Sequence, residues 1–242
     1  MFSSLAKSTY RSLGITAAFL LLLLAAPARG QEIDQTVARI SYLSGPVSYS
    51  RGDNPDEWEA AAVNVPFTIG DRLYSSADGR AELQLAAGNF VRLGARSYFT
   101  VLNLTYDTKQ FYLGEGVATF NIRRLDKDEV IEINTPNMAV NLEGPGSYRI
   151  EVDEDGSSRV IVRRGRAIVA ANGREVAVEN SEIHVYGVEA PRYEIFALRR
   201  PDAFDRWADE RDDRFELAYR GAYDYVSDDV VGAEELRDYG RW

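Results

Sequence analysis

The chain has 242 residues, 45% apolar and 27% charged. That is enough for one or two domains with a real core, and it excludes a disordered or collagen-like chain. Acids outnumber bases 38 to 28, for a net charge of −10, so no nucleic-acid partner is expected. There is no cysteine, which removes disulfides, thiolate metal sites, thiol catalysis and a lipid-modified N-terminal cysteine.

Residues 1–30 stand apart. Lys7 and Arg11 precede an apolar run, Leu13–Ala26, and the small residues Ala26, Ala28 and Gly30 follow it. This is the layout of a secretory signal peptide, with cleavage expected after Ala28 or, by preference, Gly30, and an uncleaved N-terminal anchor as the alternative. The run is shorter than the roughly 20 residues a membrane-spanning helix needs. No second apolar run follows, so no integral membrane segment is expected in the mature chain, and its expected place is the bacterial periplasm or the exterior. Cleavage would remove Lys7, Arg11 and Arg29 and no acid, leaving 25 bases against 38 acids.

From about residue 37 to 190 the pattern is short alternating runs separated by turn signals. Ala38–Leu43 and Val47–Arg51 flank Gly45-Pro46, and Gly52–Pro55 is a turn. Ala81, Leu83 and Leu85 alternate with Arg80, Glu82 and Gln84, which predicts a half-buried strand. Ala86–Asn89 reads as a hairpin turn into Phe90–Leu93, and Tyr98–Leu104 as a further strand. Lys109–Leu113 and Val117–Ile122 read as two strands joined by a turn at Gly114–Gly116. The second half repeats the style. Val130–Ile133 ends at Thr135-Pro136, Tyr148–Val152 and Val160–Arg163 flank Asp153–Gly156, and Asn172-Gly173 is a strong hairpin dipeptide. The fold class expected is mainly β, a short-stranded sandwich or solenoid-like domain with two subdomains.

At Pro201 the period changes. Phe204, Trp207, Ala208, Arg211 and Phe215 fall on one face of a helix over about 200–220, with Asp202 at its positive end and Gly221 as its stop. Residues 221–242 read as an acidic aromatic tail. From residue 201 onward there are 13 acids against 6 arginines.

The ordered positions of the β region resemble a FecR-type periplasmic domain. Gly45, Trp58, Gly70-Asp71, Arg80, Gly88, Arg92, Gly116, Thr135-Pro136 and Gly165 carry the resemblance, within a stretch from about Ile40 to Val178. Physically they read as scaffold: glycines at turns, Asp71 bonding nearby amides, and Arg80 and Arg92 on the polar side of their strands beside acids such as Glu82. Phe204–Trp207, Ser227–Val231 and Asp238–Trp242 resemble the segment after the β domain in secreted FecR-like proteins. FecR-type regulators place an anti-sigma segment and a membrane span before the β domain. Here the β domain follows a signal peptide, so the resemblance implies the fold and compartment more than the signalling role.

No catalytic, metal or cofactor site is expected. His184 is the only histidine, alternates within a strand, and reads as structural; there is no G-x-S-x-G. Asp153–Gly156 lacks the spacing of a calcium loop. The basic runs Arg123-Arg124, Arg163–Arg166 and Arg199-Arg200 read as solvated strand ends. Tyr219, Tyr223, Tyr225, Tyr239 and Trp242 are the residues picked for a partner contact. The function expected first is a non-enzymatic exported scaffold that binds an envelope protein or cell-wall glycan. The alternative is a periplasmic sensor in a FecR-type transmembrane signalling system, and a glycan-active enzyme stands third.

Overall fold

Alternation and turn chemistry produce seventeen strands, seen in a computed structural model that describes residues 35–222, 226–227 and 230–238. The expected signal peptide lies outside the described residues, as do Tyr223, Tyr225, Tyr239 and Trp242 of the expected contact set. In chain order, β1 (Ala38–Ser44) and β2 (Val47–Arg51) flank the turn at Gly45, followed by β3 (Asn54–Ala60), β4 (Pro66–Phe67) and β5 (Arg72–Ser75). The hairpin of β6 (Arg80–Gln84) and β7 (Phe90–Leu93) closes through a 3-10 turn, Ala86–Gly88. Then come β8 (Tyr98–Leu104) and the long β9 (Thr108–Ile122). The second half holds β10 (Val130–Asn134), β11 (Ala139–Leu142), β12 (Gly146–Val152), β13 (Ser158–Arg164), β14 (Ala167–Ala171), β15 (Arg174–Val178), β16 (Ser181–Tyr186) and β17 (Arg192–Ala197). Helix α1 (Ala203–Ala222) and a 3-10 turn (Ala233–Asp238) follow.

Polar side chains fix the turns. Asp71 is buried and accepts from the Gly52 amide at 2.9 Å and the Thr68 amide at 2.8 Å, so Gly70-Asp71 bonds backbone as its sequence suggests. At the β10–β11 turn the Thr135 hydroxyl accepts from the amides of Asn137 and Met138, with Pro136 between. Asn172 and Gly173 both have positive φ, 49° and 69°, the geometry of a tight hairpin turn between β14 and β15. Gly165 turns β13 into β14.

Two sheets result. Sheet I runs β4-β1-β6-β7-β9-β12-β13-β16-β17. Sheet II runs β3-β2-β5-β8-β9-β10-β11-β14-β15, with β9 and β10 parallel. Strand β9 belongs to both. Its first half, to Glu115, pairs in sheet II, and from Gly116 on it pairs in sheet I. The turn expected at Gly114–Gly116 is therefore not a turn. Gly116, at φ +90°, redirects one continuous strand from one sheet to the other, and an added Cβ would press on the Arg96 carbonyl and Ser97. Strands β1–β8 form one lobe and β10–β17 another, both built on this common strand.

The core lies between the sheets. Phe99 and Phe111 from sheet II and Phe120 from sheet I stack at its centre, with ring centroids 5.3 Å apart for Phe99–Phe111 and 5.9 Å for Phe111–Phe120. Leu83, Ile150, Val160 and Ile183 join from sheet I, and Leu73, Ile133, Val140 and Val169 from sheet II. Helix α1 lies on the outer face of sheet I. That is why β6 and β7 are buried on both faces, where alternation alone predicted half-burial for β6.

Candidate functional site

Strand register aligns one row of side chains across the outer face of sheet I: Tyr42, Glu82, Arg92, Thr119, Arg149, Ile161, Glu182 and Phe196. Seven of these eight are polar or aromatic residues that alternation puts toward water. Most of them are nonetheless buried, because the C-terminal segment returns over them.

Asp202 starts the covering helix. Its carboxylate accepts from the amides of Phe204 at 2.8 Å and Asp205 at 3.0 Å, while Asp205 reaches back to accept from the Asp202 amide at 3.0 Å. This reciprocal pattern satisfies amide groups the first turn leaves free. The apolar face then seats itself. Phe204, Ala208 and Phe215 are buried, Trp207 stacks on Phe204 and lies 5.7 Å from the Tyr42 ring, and Phe215 meets Phe90 edge-on at 4.8 Å. Gly88 makes room for this last contact: a Cβ there would stand 2.8 Å from the Phe215 ring. The Arg80 guanidinium lies over Trp207, 5.1 Å from the ring centroid.

Charge does the rest of the docking. Arg211 from α1 donates to both oxygens of Glu82, at 2.6 and 2.7 Å, and Arg92 donates to Glu82 from the neighbouring strand at 2.7 Å. Asp212 faces Arg92 at 2.6 Å. Asp205 lies 3.0 Å from Arg149 and 2.7 Å from Arg163, and Asp202 lies 2.8 Å from Arg149. Glu216 pairs with Arg123 at 3.0 Å. Beyond the helix, Glu235 reaches Arg39 at 2.8 Å and Glu234 accepts from Gln84 at 3.0 Å. At the other end of the row Arg199 bonds Glu182 and Glu151, both at 3.1 Å.

The network shapes its members' proton affinities. Burial alone would raise the Glu82 carboxyl, but Arg211, Arg92 and the Ser41 hydroxyl outweigh it and bring the pKa from 4.5 down to about 2. Burial also opposes ionisation of Asp202, and the helix amides with Arg149 reverse this, lowering it. Asp209 goes the other way: burial, then the charges of Asp212 and Asp205, raise it. Satisfaction is incomplete. Arg92 Nη1, Arg149 Nε and Arg163 Nε are buried with no hydrogen-bond acceptor, and the Arg92–Asp212 contact is ionic without hydrogen-bond geometry.

The arrangement holds an acidic amphipathic segment against the charged face of sheet I. Among the described residues no three His, Asp or Glu side chains gather as a metal site, and His184 sits on the outer face of β16 beside Glu182, at 3.4 Å, and against Phe196. A cleft of about 420 Å³ opens beside α1, lined by Asn121, Arg123, Arg164, Asp213 and Glu216 among others.

Of the expected contact residues inside the described region, Tyr219 is half-buried, packs on Phe215 and lies under the Arg123 guanidinium. Trp58 is exposed on edge strand β3, near Tyr98. Sequence reasoning placed Arg80 and Arg92 beside Glu82 but did not see the helix over them. It read Arg123, Arg163 and Arg199 as solvated, and the structure corrects this: each meets an acid or backbone carbonyl of sheet I or the C-terminal segment. The available signal was the segregation of acid after residue 201 against arginines on the strands before it.

A family model described as FecR protein matches residues 71–168, from the approach to β5 into β14. Two crystal structures of a candidate anti-sigma factor from Parabacteroides distasonis, at 2.50 and 1.65 Å resolution, each match with TM-score 0.46 and 22% identity. The match covers 52% of this chain and 59% of the length of that protein. No protein of curated function matches. Among the described residues no helix is long and apolar enough to cross a membrane.

Proposed function

We propose, for a chain that carries a FecR domain across residues 71–168, a role as a regulatory component of a FecR-type signalling system, exercised through protein contacts. The family match is the observation that carries this reading. It favours the signalling role over the envelope scaffold that the sequence put first. The matched segment supplies Glu82, Arg92, Arg123, Arg149 and Arg163, while α1, which meets them, lies outside it. Regulation in this reading consists of seating or lifting α1, which covers or bares a charged face. The exported location suggested by residues 1–30 belongs to the same proposal.

Transcript profiling tests it. Deleting the gene should change a coherent set of transcripts governed by one sigma factor. Wild-type protein should restore it, and an Asp205→Arg variant, which sets a third guanidinium against Arg149 and Arg163, should not. A deletion strain whose transcripts match the parent's in growing and in envelope-stressed cells would end the signalling reading.

A further inference from the structure

The two sheets present four edges. Strand β3 carries Asp56, Glu57 and Glu59, β4 is two residues long, and β15 begins with exposed Arg174 and Glu175. Short length and charge are the usual guards against unwanted strand pairing. Strand β17 also carries two charges, Arg192 and Glu194, but unlike the other edges it exposes two large apolar side chains. It pairs with β16 without a bulge from Ser181↔Ala197 to Tyr186↔Arg192, contains neither lysine nor proline, and exposes Ile195 (55%) and Phe196 (39%). Its other side is open among the described residues.

Its two charges are the second observation. Arg192 and Glu194 lie on one face, opposite Tyr186 and His184 of β16, and both are exposed. Neither side chain has an ion-pair or hydrogen-bond partner among the described residues. Two opposite charges, two residues apart and unpaired on an open edge, are self-complementary under a two-fold axis.

We propose that β17 pairs antiparallel with the β17 of a second copy, about a two-fold axis at Tyr193, joining two copies of sheet I edge to edge. In such a pair each residue opposes one from the same face. A register centred on Glu194 would set the two carboxylates against each other. One centred on Ile195 would set Arg192 against the partner's Leu198. The register centred on Tyr193 sets Arg192 against the partner's Glu194 twice, with the two Tyr193 side chains facing each other, while Ile195 and Phe196 extend past the partner strand toward Pro191 and Ala190 of its β16–β17 connection. The three central oppositions are then charge on opposite charge and ring on ring, as a self-complementary isologous interface requires.

Sedimentation velocity of the full chain over a concentration series tests this. Wild type should show a monomer–dimer equilibrium that weakens with salt. Arg192→Glu and Glu194→Arg should each weaken the dimer at least tenfold, and the double variant Arg192→Glu/Glu194→Arg should recover it. Both positions are exposed, so circular dichroism and melting temperature should match wild type. A wild type that stays monomeric throughout overturns the proposal and leaves the edge to a foreign strand. Single reversals without effect, or a double reversal that fails to rescue, also overturn it.

Discussion

Arg92 Nε stands 2.7 Å from Glu82 Oε2 across the β6–β7 hairpin, and the two side chains are 1% and 2% exposed. Taking both charges out of water costs several kcal/mol per ion unless other groups complete their shells. Helix α1 does so, with Arg211 on Glu82 and Asp212 on Arg92. The sheet and helix are thus coupled through a four-charge cluster whose sheet half is buried and whose helix half is partly exposed.

Arg92→Ala should cost about 3 kcal/mol of unfolding free energy, because it leaves Glu82 buried with one guanidinium fewer. Replacing both partners with leucine should cost less than the single change, since no fully buried charge is then stranded: Arg211 and Asp212, which lose their partners, are 19% and 21% exposed. Denaturant unfolding of the two variants beside wild type measures this; equal losses would contradict the buried-pair account.

Glu82 also sets a pH dependence. Its folded pKa, about 2, lies below the ordinary 4.5, so the folded state favours the ionised form. The stability this provides is complete above pH 4.5 and is lost as pH falls toward 2, amounting to roughly 3 kcal/mol. Unfolding curves between pH 6 and pH 2 should be steeper in pH for wild type than for Glu82→Gln.

Asp205 is the acid most deeply engaged at the helix start, between Arg149 and Arg163. Asp205→Asn should cost about 2 kcal/mol. Hydrogen exchange should locate the loss: amides of α1 should exchange more than tenfold faster, while those of β9 and β12 keep their protection. Asp209→Asn should do the reverse and tighten α1, because its charge is held against Asp212 and Asp205.

Gly116→Ala should destabilise by about 1–3 kcal/mol from the backbone conformation alone, before the crowding at Arg96 is added. The melting temperature reports it. A variant as stable as wild type would mean that β9 can change sheets without a left-handed residue.

The strands and the helix face were legible because each rests on a local period. Phe204, Ala208 and Phe215 are buried as their spacing predicts, and Asn172-Gly173 makes the hairpin that the dipeptide specifies. Helix α1 runs one residue past Gly221, within the ordinary spread of helix ends. The path of β9 was missed, although a trace of it is in the sequence. Core-facing residues are odd-numbered at Lys109, Phe111 and Leu113 and even-numbered at Ala118, Phe120 and Ile122. That change of phase is what a strand shows when it leaves one sheet for another with the core kept between them. Lys109 disguised the pattern: it is buried, and its ammonium is met by Glu129. The charged face was missed for a different reason. Alternation says which side chains leave the core, and only the return of α1 decides whether they reach water.

Because β9 is the middle strand of both sheets, neither lobe owns a complete set of neighbours. Cutting the chain before β9 strips the first lobe of the strand against which β7 and β8 close, and cutting after it takes the same strand from β10 and β12. The two halves are therefore not exchangeable modules. Insertions belong in the loops away from this strand.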